Sequence, residues 1–395
     1  MVEWIECKIS DIGNVVGGAT PSTKKPENYE KGTIAWITPK DLSTFTERYI
    51  RRGERNITET GLKSCSTYLL PKNTVLFSSR APIGYVAIAA NEVCTNQGFK
   101  SVVPNDNIDP LFLYYLLKYN KKKIERAGSG TTFKEVSGKT MKDIVVYVPK
   151  NKKIQERISS LLGTIDDKIE ENNRINNNLL EQALMLYATQ FASLGRNGCI
   201  GDYCLIKSGF AFKSSWWTHN GIKVIKIGSI NQDNLNLLEC SYVDEDKIEK
   251  ATDFKVGAGD LLIAMTGATI GKFAMVPYSS EILLVNQRVG KFFLGDNPVE
   301  KLPFIYCTLK QPEVYYEIVN RGQGSAQPNI SASDIMSIPC VIPSKETINE
   351  FNDTAQPLFD LIISNQRENQ QLSELRDSLL PKLMSGEVDV SNIDL

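Results

Sequence analysis

The sequence has little of the chemistry from which catalytic and metal sites are usually built. His219 is the only histidine among 395 residues, and the eight cysteines are scattered without a Cys-x-x-Cys pair. Structural zinc needs about four clustered Cys or His ligands, so a zinc module is excluded. A histidine-dependent triad or general base would have to use His219, which lies in a polar Thr-His-Asn-Gly turn. We therefore predict no metal site and no catalytic residue in this chain.

Long apolar runs are missing as well. No segment approaches the roughly 18 apolar residues that a membrane helix needs. The stretch from Met1 to Glu6 has neither the basic start nor the apolar run of a signal peptide. The hydrophobic fraction of 42% is typical of a globular chain of this length with two or three domains. We expect a cytoplasmic protein that does not contact a membrane.

The sequence also lacks the usual cofactor-binding loops. Gly138-Lys139-Thr140 resembles the end of a phosphate-binding loop, but the glycine required five positions earlier is replaced by Phe133. The Asn/Asp-Pro-Pro-aromatic tetrapeptide of amino-methyltransferases is absent, and no Gly-x-Gly-x-x-Gly loop follows a strand. These absences disfavour a stand-alone methyltransferase or nuclease. We predict that the chain itself binds no cofactor.

The charge is close to balanced overall but unevenly distributed. The formal net charge is −1, yet residues 1–150 contain 22 Lys and Arg against 15 Asp and Glu, a net charge of +7. The net charge is −1 in 151–195, −1 in 196–344 and −6 in 345–395. Because nucleic-acid binders hold phosphates with Lys and Arg, only the first segment suggests DNA binding by its net charge.

A helical pattern occurs twice, once in the middle of the chain and once near its end. Apolar residues alternate in steps of four and three, which is the pattern of a heptad seam, and asparagines occupy its centre. The second copy follows the first at an offset of 193 residues without a gap. The predicted seam residues are Ile165, Ile169, Asn172, Asn176 and Leu179 in the first copy, and Leu358, Ile362, Asn365, Asn369 and Leu372 in the second.

The ends of these helices can also be predicted. Gly163 and Gln356-Pro357 predict breaks, followed by helices over about 164–192 and 357–380, and Pro381 predicts the second end. Buried asparagines in a seam select one partner and one alignment, so we expect the two helices to pair with each other.

The remaining sequence is duplicated too, which predicts the order domain, helix, domain, helix. Matching segments are Ile34–Leu42 with Ile222–Ile230, Asn73–Gly84 with Asp260–Gly271, Asn96-Gln97 with Asn286-Gln287, and Val148-Pro149 with Ile342-Pro343. Short β-rich runs with Gly and Pro turns surround one helical segment in each copy, a pattern typical of an α+β fold. The predicted domains are globular domains at 1–150 and 196–344 and helical spacers at 151–195 and 345–395.

Polar residues at strand ends and turns are the candidate DNA contacts, because the flanking scaffold matches between copies while the tips differ. For any single residue an ordinary turn is an equally good interpretation, and Asn96 and Asn286 could either read adenine edges or cap turns. The candidates are Thr38, Lys40, Ser78, Ser79, Arg80, Asn96, Gln97, Ser129 and Thr131 in the first copy, and Lys226, Ser229, Thr266, Thr269, Asn286, Gln287, Arg288, Gln323 and Ser325 in the second.

A duplicated globular domain, each copy ending in an apolar strand, a proline and a long helix with recurring Ile, Asn and Leu, resembles the specificity (S) subunit of type I restriction-modification systems. The resemblance covers essentially the whole chain. It implies two similar β-rich target-recognition domains separated by two long antiparallel helices, which form a coiled-coil-like spacer with pseudo-twofold symmetry. Each domain would read one half of a split sequence in double-stranded DNA, and the helices would set the gap between the halves.

The resemblance also implies partners. Two methylation (M) subunits would dock on the helices and use S-adenosylmethionine, and restriction (R) subunits would use ATP and Mg. This chain would then be a non-catalytic subunit of the complex. A duplicated coiled-coil scaffold that binds only protein remains the alternative, and salt-dependent DNA binding distinguishes the two.

Overall fold

The computed structural model describes residues 2–130, 134–323 and 328–391, apart from the side chain of Gln323. The fold is α+β, as predicted. The strands are β1 (Trp4–Lys8), β2 (Gly13–Gly17), β3 (Ile34–Ile37), β4 (Tyr49–Ile50), β5 (Arg55–Ile57), β6 (Val75–Ser79), β7 (Ile83–Ala89), β8 (Cys94–Thr95), β9 (Lys100–Pro104), β10 (Val145–Pro149), β11 (Gly198–Cys199), β12 (Leu205–Ser208), β13 (Trp217–Thr218), β14 (Ile222–Ile225), β15 (Ile230–Asn231), β16 (Asn234–Leu235), β17 (Ser241–Val243), β18 (Lys255–Val256), β19 (Leu261–Ala264), β20 (Phe273–Met275), β21 (Leu283–Val285), β22 (Val289–Phe293) and β23 (Pro339–Cys340).

The helices complete the framework. They are α1 (Ile9–Ile12), α2 (Pro39–Ser43), α3 (Glu59–Lys63), α4 (Pro110–Tyr119), α5 (Lys121–Ala127), α6 (Gly138–Asp143), α7 (Lys152–Phe191), α8 (Ile200–Tyr203), α9 (Leu302–Leu309), α10 (Pro312–Gln323), α11 (Ala332–Met336) and α12 (Lys345–Met384). Within the described part of the chain, none of them is long and apolar enough to cross a membrane.

The chain forms two compact units, and each contains part of both long helices. The first unit consists of Met1–Glu170 with Leu372–Leu395, and the second of Glu171–Gln371. The sequence-based division instead placed the helices in segments of their own. In each unit the helices contribute directly to the core, so the compact units cut across those segments.

The two units share the order of their central strands and differ in their edge strands. The first contains an antiparallel sheet β2-β9-β6-β7, to whose edge β4 adds in parallel, and the second contains β12-β22-β19-β20. A second sheet holds a parallel pair in each case, β3 with β8 and β14 with β21. Small antiparallel pairs close both copies, β1 with β10 and β11 with β23. The duplication seen in the sequence is therefore a duplication of topology.

The two long helices are continuous over 40 residues each, and the predicted breaks are wrong. Pro357 removes one helical hydrogen bond, but the neighbouring Ala355 and Phe359 are fully buried in the core of the second unit, and this packing stabilises the helix through the proline. Pro381 does not end α12 either. Leu383 and Met384 beyond it are buried in the core of the first unit.

Gly163 also lies inside a helix rather than at a break. A Cβ atom at this position would lie 3.2 Å from the Leu111 side chain and 3.3 Å from Nη1 of Arg48. The glycine thus allows two side chains of the globular part to approach the α7 backbone closely.

The helices run antiparallel within each unit. In the second unit, Nδ2 of Asn172 donates to Oδ1 of Asn369 at 2.9 Å, and Nδ2 of Asn365 donates to Oδ1 of Asn176 at 2.8 Å. Residue numbers thus increase along α7 in the direction in which they decrease along α12. In the first unit Nη1 of Arg376 forms a 2.7 Å ion pair with Asp166. Of the predicted seam residues, Ile165, Asn172, Ile362 and Asn365 are buried, and Ile169, Asn176, Leu179, Leu358, Asn369 and Leu372 are half-buried.

The segment after α12 belongs to the first unit. Val390 is fully buried in the same core as Ile158 and Leu162 of α7. Nη1 of Arg157 donates to the backbone oxygen of Ser391. Residues far apart in the chain therefore build one core.

Candidate nucleic-acid interface

The Asn-Gln turns occupy equivalent places in the two units. The backbone N–H of Asn96 donates to Ile37 at 3.0 Å, and that of Asn286 donates to Ile225 at the same distance. These bonds connect each turn to the parallel strand pair of its unit. The two turns can therefore be compared residue by residue.

A glycine packs against each of these turns. A Cβ atom on Gly18 would lie 2.2 Å from the backbone oxygen of Thr95, and one on Gly209 would lie 2.4 Å from that of Val285. Only glycine permits such an approach. This requirement explains why glycine recurs at this point in both copies.

Asn96 and Asn286 cap their turns. Oδ1 of Asn96 accepts from the N–H of Gly98 at 2.8 Å, and Oδ1 of Asn286 accepts from the N–H of Arg288 at 3.3 Å. These carbonyl oxygens stabilise the local backbone, as Asn side chains do in Asx turns. The neighbouring Gln97 is exposed in the first unit, and its side chain contacts the hydroxyl of Thr20.

Ser78 and Ser79 are corrected from candidate DNA contacts to structural residues. Strand β6 runs through both serines, and both are fully buried. The hydroxyl of Ser78 donates to Pro82 and accepts from the N–H of Tyr85, each at 2.8 Å. The Ser79 hydroxyl accepts from Lys100 at 3.5 Å. The serines therefore shape the strand end and cannot reach a ligand.

Arg80 directly follows strand β6, and we call this end of the strand with the adjoining loops the tip of the first unit. Its side chain is 37% exposed, and Nη1 lies 3.5 Å from Oε2 of Glu135. The ammonium of Lys100 lies 3.4 Å from Oε1 of the same carboxylate. Ser129 is exposed beside them, paired with Glu135 through backbone hydrogen bonds. Two cations share one carboxylate, which leaves one positive charge for an anionic ligand.

Lys100 was missed by the sequence analysis. It belongs to strand β9, and its sequence neighbourhood, Gly-Phe-Lys-Ser, carries no turn or strand-end signal. Only the pairing of β9 beside β6 brings its ammonium to the tip.

In the second unit the arginine of the tip lies at a different position of the shared scaffold. The N–H of Met265 donates to the oxygen of Arg288 at 3.0 Å, as that of Ser79 donates to Gly98 at 2.7 Å. Thr266 therefore occupies the place of Arg80, and the exposed Arg288 occupies the place of Gly98. The scaffold is the same, but the arginine has moved from the strand end to the Asn-Gln turn.

The threonines of the second tip are half-buried. The hydroxyl of Thr266 is enclosed and has no hydrogen-bond partner among the described residues, while that of Thr269 donates to the oxygen of Thr266 at 3.2 Å. Gln287 beside Arg288 is exposed. The exposed polar side chains of this tip are therefore Gln287 and Arg288.

The helix starts after β3 and β14 provide further candidates. Thr38 is half-buried and donates its hydroxyl to Asp41 at 2.6 Å, whereas Lys40 is exposed and pairs with Glu54 at 2.8 Å. Ser229 is corrected to a structural residue. It is fully buried, and its hydroxyl donates to the oxygen of Glu239 at 3.3 Å.

An aromatic and cationic surface extends from the second tip, and of its residues only Lys226 was among the candidates predicted from the sequence. Trp216 stacks on Phe210 with a centroid distance of 6.1 Å and an interplanar angle of 12°. The N–H of Gln287 donates to the oxygen of Phe210 at 2.9 Å, so this surface adjoins the Asn-Gln turn. The ammonium of Lys226 lies 3.6 Å from the ring centroid of Trp217, and burial lowers its pKa.

Three more lysines lie around Trp216. The ammonium groups of Lys213, Lys247 and Lys250 are 5.7, 5.5 and 5.2 Å from its ring centroid. Lys247 pairs with Asp246, but no carboxylate of the described residues lies within 4 Å of Lys213 or Lys250. We name the side chains of Phe210, Lys213, Trp216, Trp217, Lys226, Lys247 and Lys250 the Trp216 surface. A sequence signal existed in Lys-Ser-Ser-Trp-Trp, although the neutral charge of the segment concealed it.

Thr131 and Ser325 lie outside the described residues, as does the side chain of Gln323. These three candidates remain predictions from the sequence.

Comparison with known proteins identifies the family. The sequence profile of the type I restriction modification DNA specificity domain matches residues 1–181 and 196–374. The MjaIX type I restriction enzyme specificity subunit of Methanocaldococcus jannaschii is 34% identical, over 99% of this chain and 95% of that protein. The MjaVIII specificity subunit of the same organism is 21% identical, over 99% and 94%.

A solved structure shares the fold. The crystal structure of the type I restriction-modification S subunit from M. genitalium superimposes with a TM-score of 0.55 at 18% identity, covering 97% of this chain and 96% of that one. The two matched segments coincide with the two copies of the duplicated topology. This chain therefore belongs to the type I restriction-modification DNA specificity family, as a specificity subunit.

Proposed function

We propose that each unit reads one half of a bipartite DNA site and that the two halves differ in sequence. One observation carries this proposal: two units of the same topology present different side chains at equivalent positions. The partly exposed Arg80 occupies the position that Thr266 has in the other unit, and the exposed Arg288 occupies the position of Gly98. Arginine is the residue that most often reads guanine in the major groove, and moving it changes the base that it can reach.

Contacts to phosphate would add affinity without adding sequence preference. In the first unit, Arg80 and Lys100 share Glu135 and lie in the segment of net charge +7. In the second, the Trp216 surface supplies lysines and an aromatic plane. Lys213 and Lys250 are the best candidates for phosphate contacts because the described structure places no carboxylate within 4 Å of either.

The paired helices would set the gap between the half-sites. Half-sites on one face of DNA repeat about every 34 Å, and a helix of 40 residues is about 60 Å long. Joining two weak readers through a stiff connector raises the overall affinity by making the second contact intramolecular.

The other functions would belong to partners. In this proposal two methylation subunits dock on the helices and carry S-adenosylmethionine, restriction subunits carry ATP and Mg, and this chain does no chemistry. The scarcity of histidine and the missing cofactor motifs support this division.

The experiment is to purify the chain with its methylation subunits and to map adenine methylation on random-sequence DNA. We expect two short, different motifs with a fixed gap of unspecified bases. A continuous motif would contradict the proposal. A DNA affinity that depends neither on salt concentration nor on DNA sequence would instead favour the scaffold that binds only protein.

A further inference from the structure

Arg48 connects the globular part of the first unit to helix α7. Its side chain is only 5% exposed. Nε and Nη2 donate to the two carboxylate oxygens of Glu170 at 2.9 and 3.1 Å, and the backbone N–H donates to Glu170 at 2.8 Å. Nη2 also contacts the carboxylate of Asp167, and Nη1 donates to the backbone oxygen of Gly163 at 3.2 Å. One residue thus contacts three residues over two turns of the helix.

The contacts of Arg48 form an ion cluster. Burial by itself lowers the pKa of Arg48, but the hydrogen bonds that its guanidinium donates to Glu170 and Asp167 outweigh this effect and raise the pKa above its ordinary value. The fork of the guanidinium matches a carboxylate in two bonds, which fixes direction as well as distance. A lysine at this position would keep the charge but lose the fork.

On its other side Arg48 is bonded to the sheet that carries the candidate interface. Its backbone oxygen accepts from the N–H of Ile88 at 2.7 Å, and β4, which follows it, pairs with β7. Strand β7 begins at Ile83, directly after the loop that contains Arg80. The contacts of Arg48 therefore secure one end of a strand whose other end carries the tip.

Further contacts with α7 are made by α4 and by Asp109, which caps it. Apolar side chains of α4 share a core with α7, the Tyr115 hydroxyl donates to Asp166 at 2.6 Å, and the Ser159 hydroxyl donates to Asp109 at 2.7 Å. These contacts hold helix α4 on α7, whereas those of Arg48 hold the edge of the sheet. From Ile88 to Ile83 the strand spans about 17 Å at 3.3 Å per residue. A tilt of about 10° at the Arg48 end would displace the tip by about 3 Å, close to the roughly 3.4 Å of duplex axis per phosphate of one strand.

We propose that Arg48 is a positioning residue that fixes the orientation of the first reading unit on helix α7 and so fixes the gap length that the protein accepts. This inference rests on the proposed function, because it assumes that the tip reads DNA. It adds that the accuracy of the gap depends on the ion pairs of Arg48, at the opposite end of β7 from the tip.

The second unit uses a different contact at the matching sheet edge. The N–H of Asp233 donates to the oxygen of Phe273 on β20, the strand equivalent to β7. Its carboxylate contacts Tyr306 and Lys310, and Nε2 of Gln366 on α12 donates to its backbone oxygen at 3.3 Å. A carboxylate here replaces the guanidinium of the first unit. The contacts of Arg48 are therefore particular to the first reading unit.

The test uses the complex with methylation subunits and DNA duplexes that carry both half-sites at gaps from two bases shorter to two bases longer than the natural one. Arg48→Ala should reduce the preference for the natural gap over gaps one base longer or shorter by about tenfold, with the half-site bases unchanged. Arg48→Lys and Glu170→Gln, which perturb folding less, should reduce it partially. Arg174→Ala, which removes an exposed ion pair on the same helix, is the matched control and should leave the preference unchanged.

The outcomes separate the two claims. If the wild-type complex shows one gap and the Arg48 and Glu170 variants show the same preference, with or without a lower melting temperature, the positioning role is wrong. If the wild-type complex shows no dependence on two half-sites, the proposed function is wrong. A variant that loses preference for the half-site bases themselves would also contradict the inference, since it would place Arg48 in base reading.

Discussion

Asn365 donates its side-chain amide to Oδ1 of Asn176 at 2.8 Å in the seam between the two long helices. Four residues away along α7, Asn172 and Asn369 form the corresponding bond with the donor on the opposite helix. Amide pairs of this kind satisfy their hydrogen bonds only when the helices are aligned as they are here, so they select the alignment at a cost in stability.

Replacing Asn365 alone by Ala should destabilise the second unit by about 1–3 kcal/mol, because the amide of Asn176 is left without its partner. Replacing both by Leu should recover most of that loss, since a seam position then becomes apolar. Urea denaturation of the three proteins measures both changes. If the double Leu variant is no more stable than Asn365→Ala, the asparagine pair contributes to stability as well as selecting the alignment.

Inserting one heptad at matching positions in both long helices should lengthen the preferred gap and leave both half-sites unchanged. Seven residues add about 10 Å of helix, or about three base pairs. Methylation of duplexes with graded gaps gives the result. An insertion in only one helix is the control, and it should disturb the helix pairing without producing a new defined gap.

Arg80→Ala and Arg288→Ala should each relax one half-site. Loss of a two-bonded arginine contact to a base costs about 1–3 kcal/mol, or roughly 5- to 150-fold in discrimination. Methylation of libraries randomised at each half-site measures this directly. The two variants serve as controls for each other. A single substitution that altered both half-site motifs would argue against two independent reading units.

The double variant Lys213→Ala and Lys250→Ala should lower the affinity for DNA by a similar factor for all DNA sequences. Each lost phosphate contact lowers the slope of log affinity against log salt by about 0.9, so the double variant should lower it by nearly 2. Titrations of the complex at several salt concentrations provide the slope. Lys207→Ala with Lys301→Ala, two exposed lysines of the same unit, should leave it unchanged.

Lys118→Met should stabilise the first unit at neutral pH. Burial lowers the pKa of Lys118 to about 8, and its ammonium lies 3.3 Å from the hydroxyl of Tyr114. Between about pH 8 and the ordinary value of about 10.5, the unfolded chain binds more protons at this residue, so the contribution of Lys118 to stability rises with pH. At pH 7 the variant should be more stable by about 1–2 kcal/mol after allowance for partial exposure.

Urea denaturation of the wild type and the variant at pH 7, 9 and 10 tests this, and the stability difference should shrink as the pH rises. Lys72→Met, at an exposed position of the same unit, serves as the control. A difference that stayed constant over this range would mean that Lys118 does not titrate there.

The sequence predicted those features that depend on periodicity or on repetition. The heptad seam predicted both helices and their asparagines, and the matching segments predicted two copies of one topology. It failed at residues whose role depends on tertiary neighbours. Pro357 and Gly163 were read as breaks because the buried side chains of Phe359 and Arg48 beside them could not be seen in the sequence.

The candidate site shows the same limit. Ser79 was expected at an exposed turn, but β6 continues through it, and strand pairing rather than local polarity decides its burial. Lys100 was overlooked because it belongs to no local motif, and Trp216 because the small net charge of its segment concealed the signal in Lys-Ser-Ser-Trp-Trp. Each becomes part of a surface only when another strand or loop is placed beside it.

The burial of Val390 in the first unit has a consequence for the order of events during synthesis on the ribosome. The second unit is one uninterrupted stretch that is complete when Gln371 has emerged, whereas the first still waits for the end of α12 and the residues that follow it. The half that is translated first is therefore the half whose core closes last, and until then its apolar face is open to chaperones and to other nascent chains.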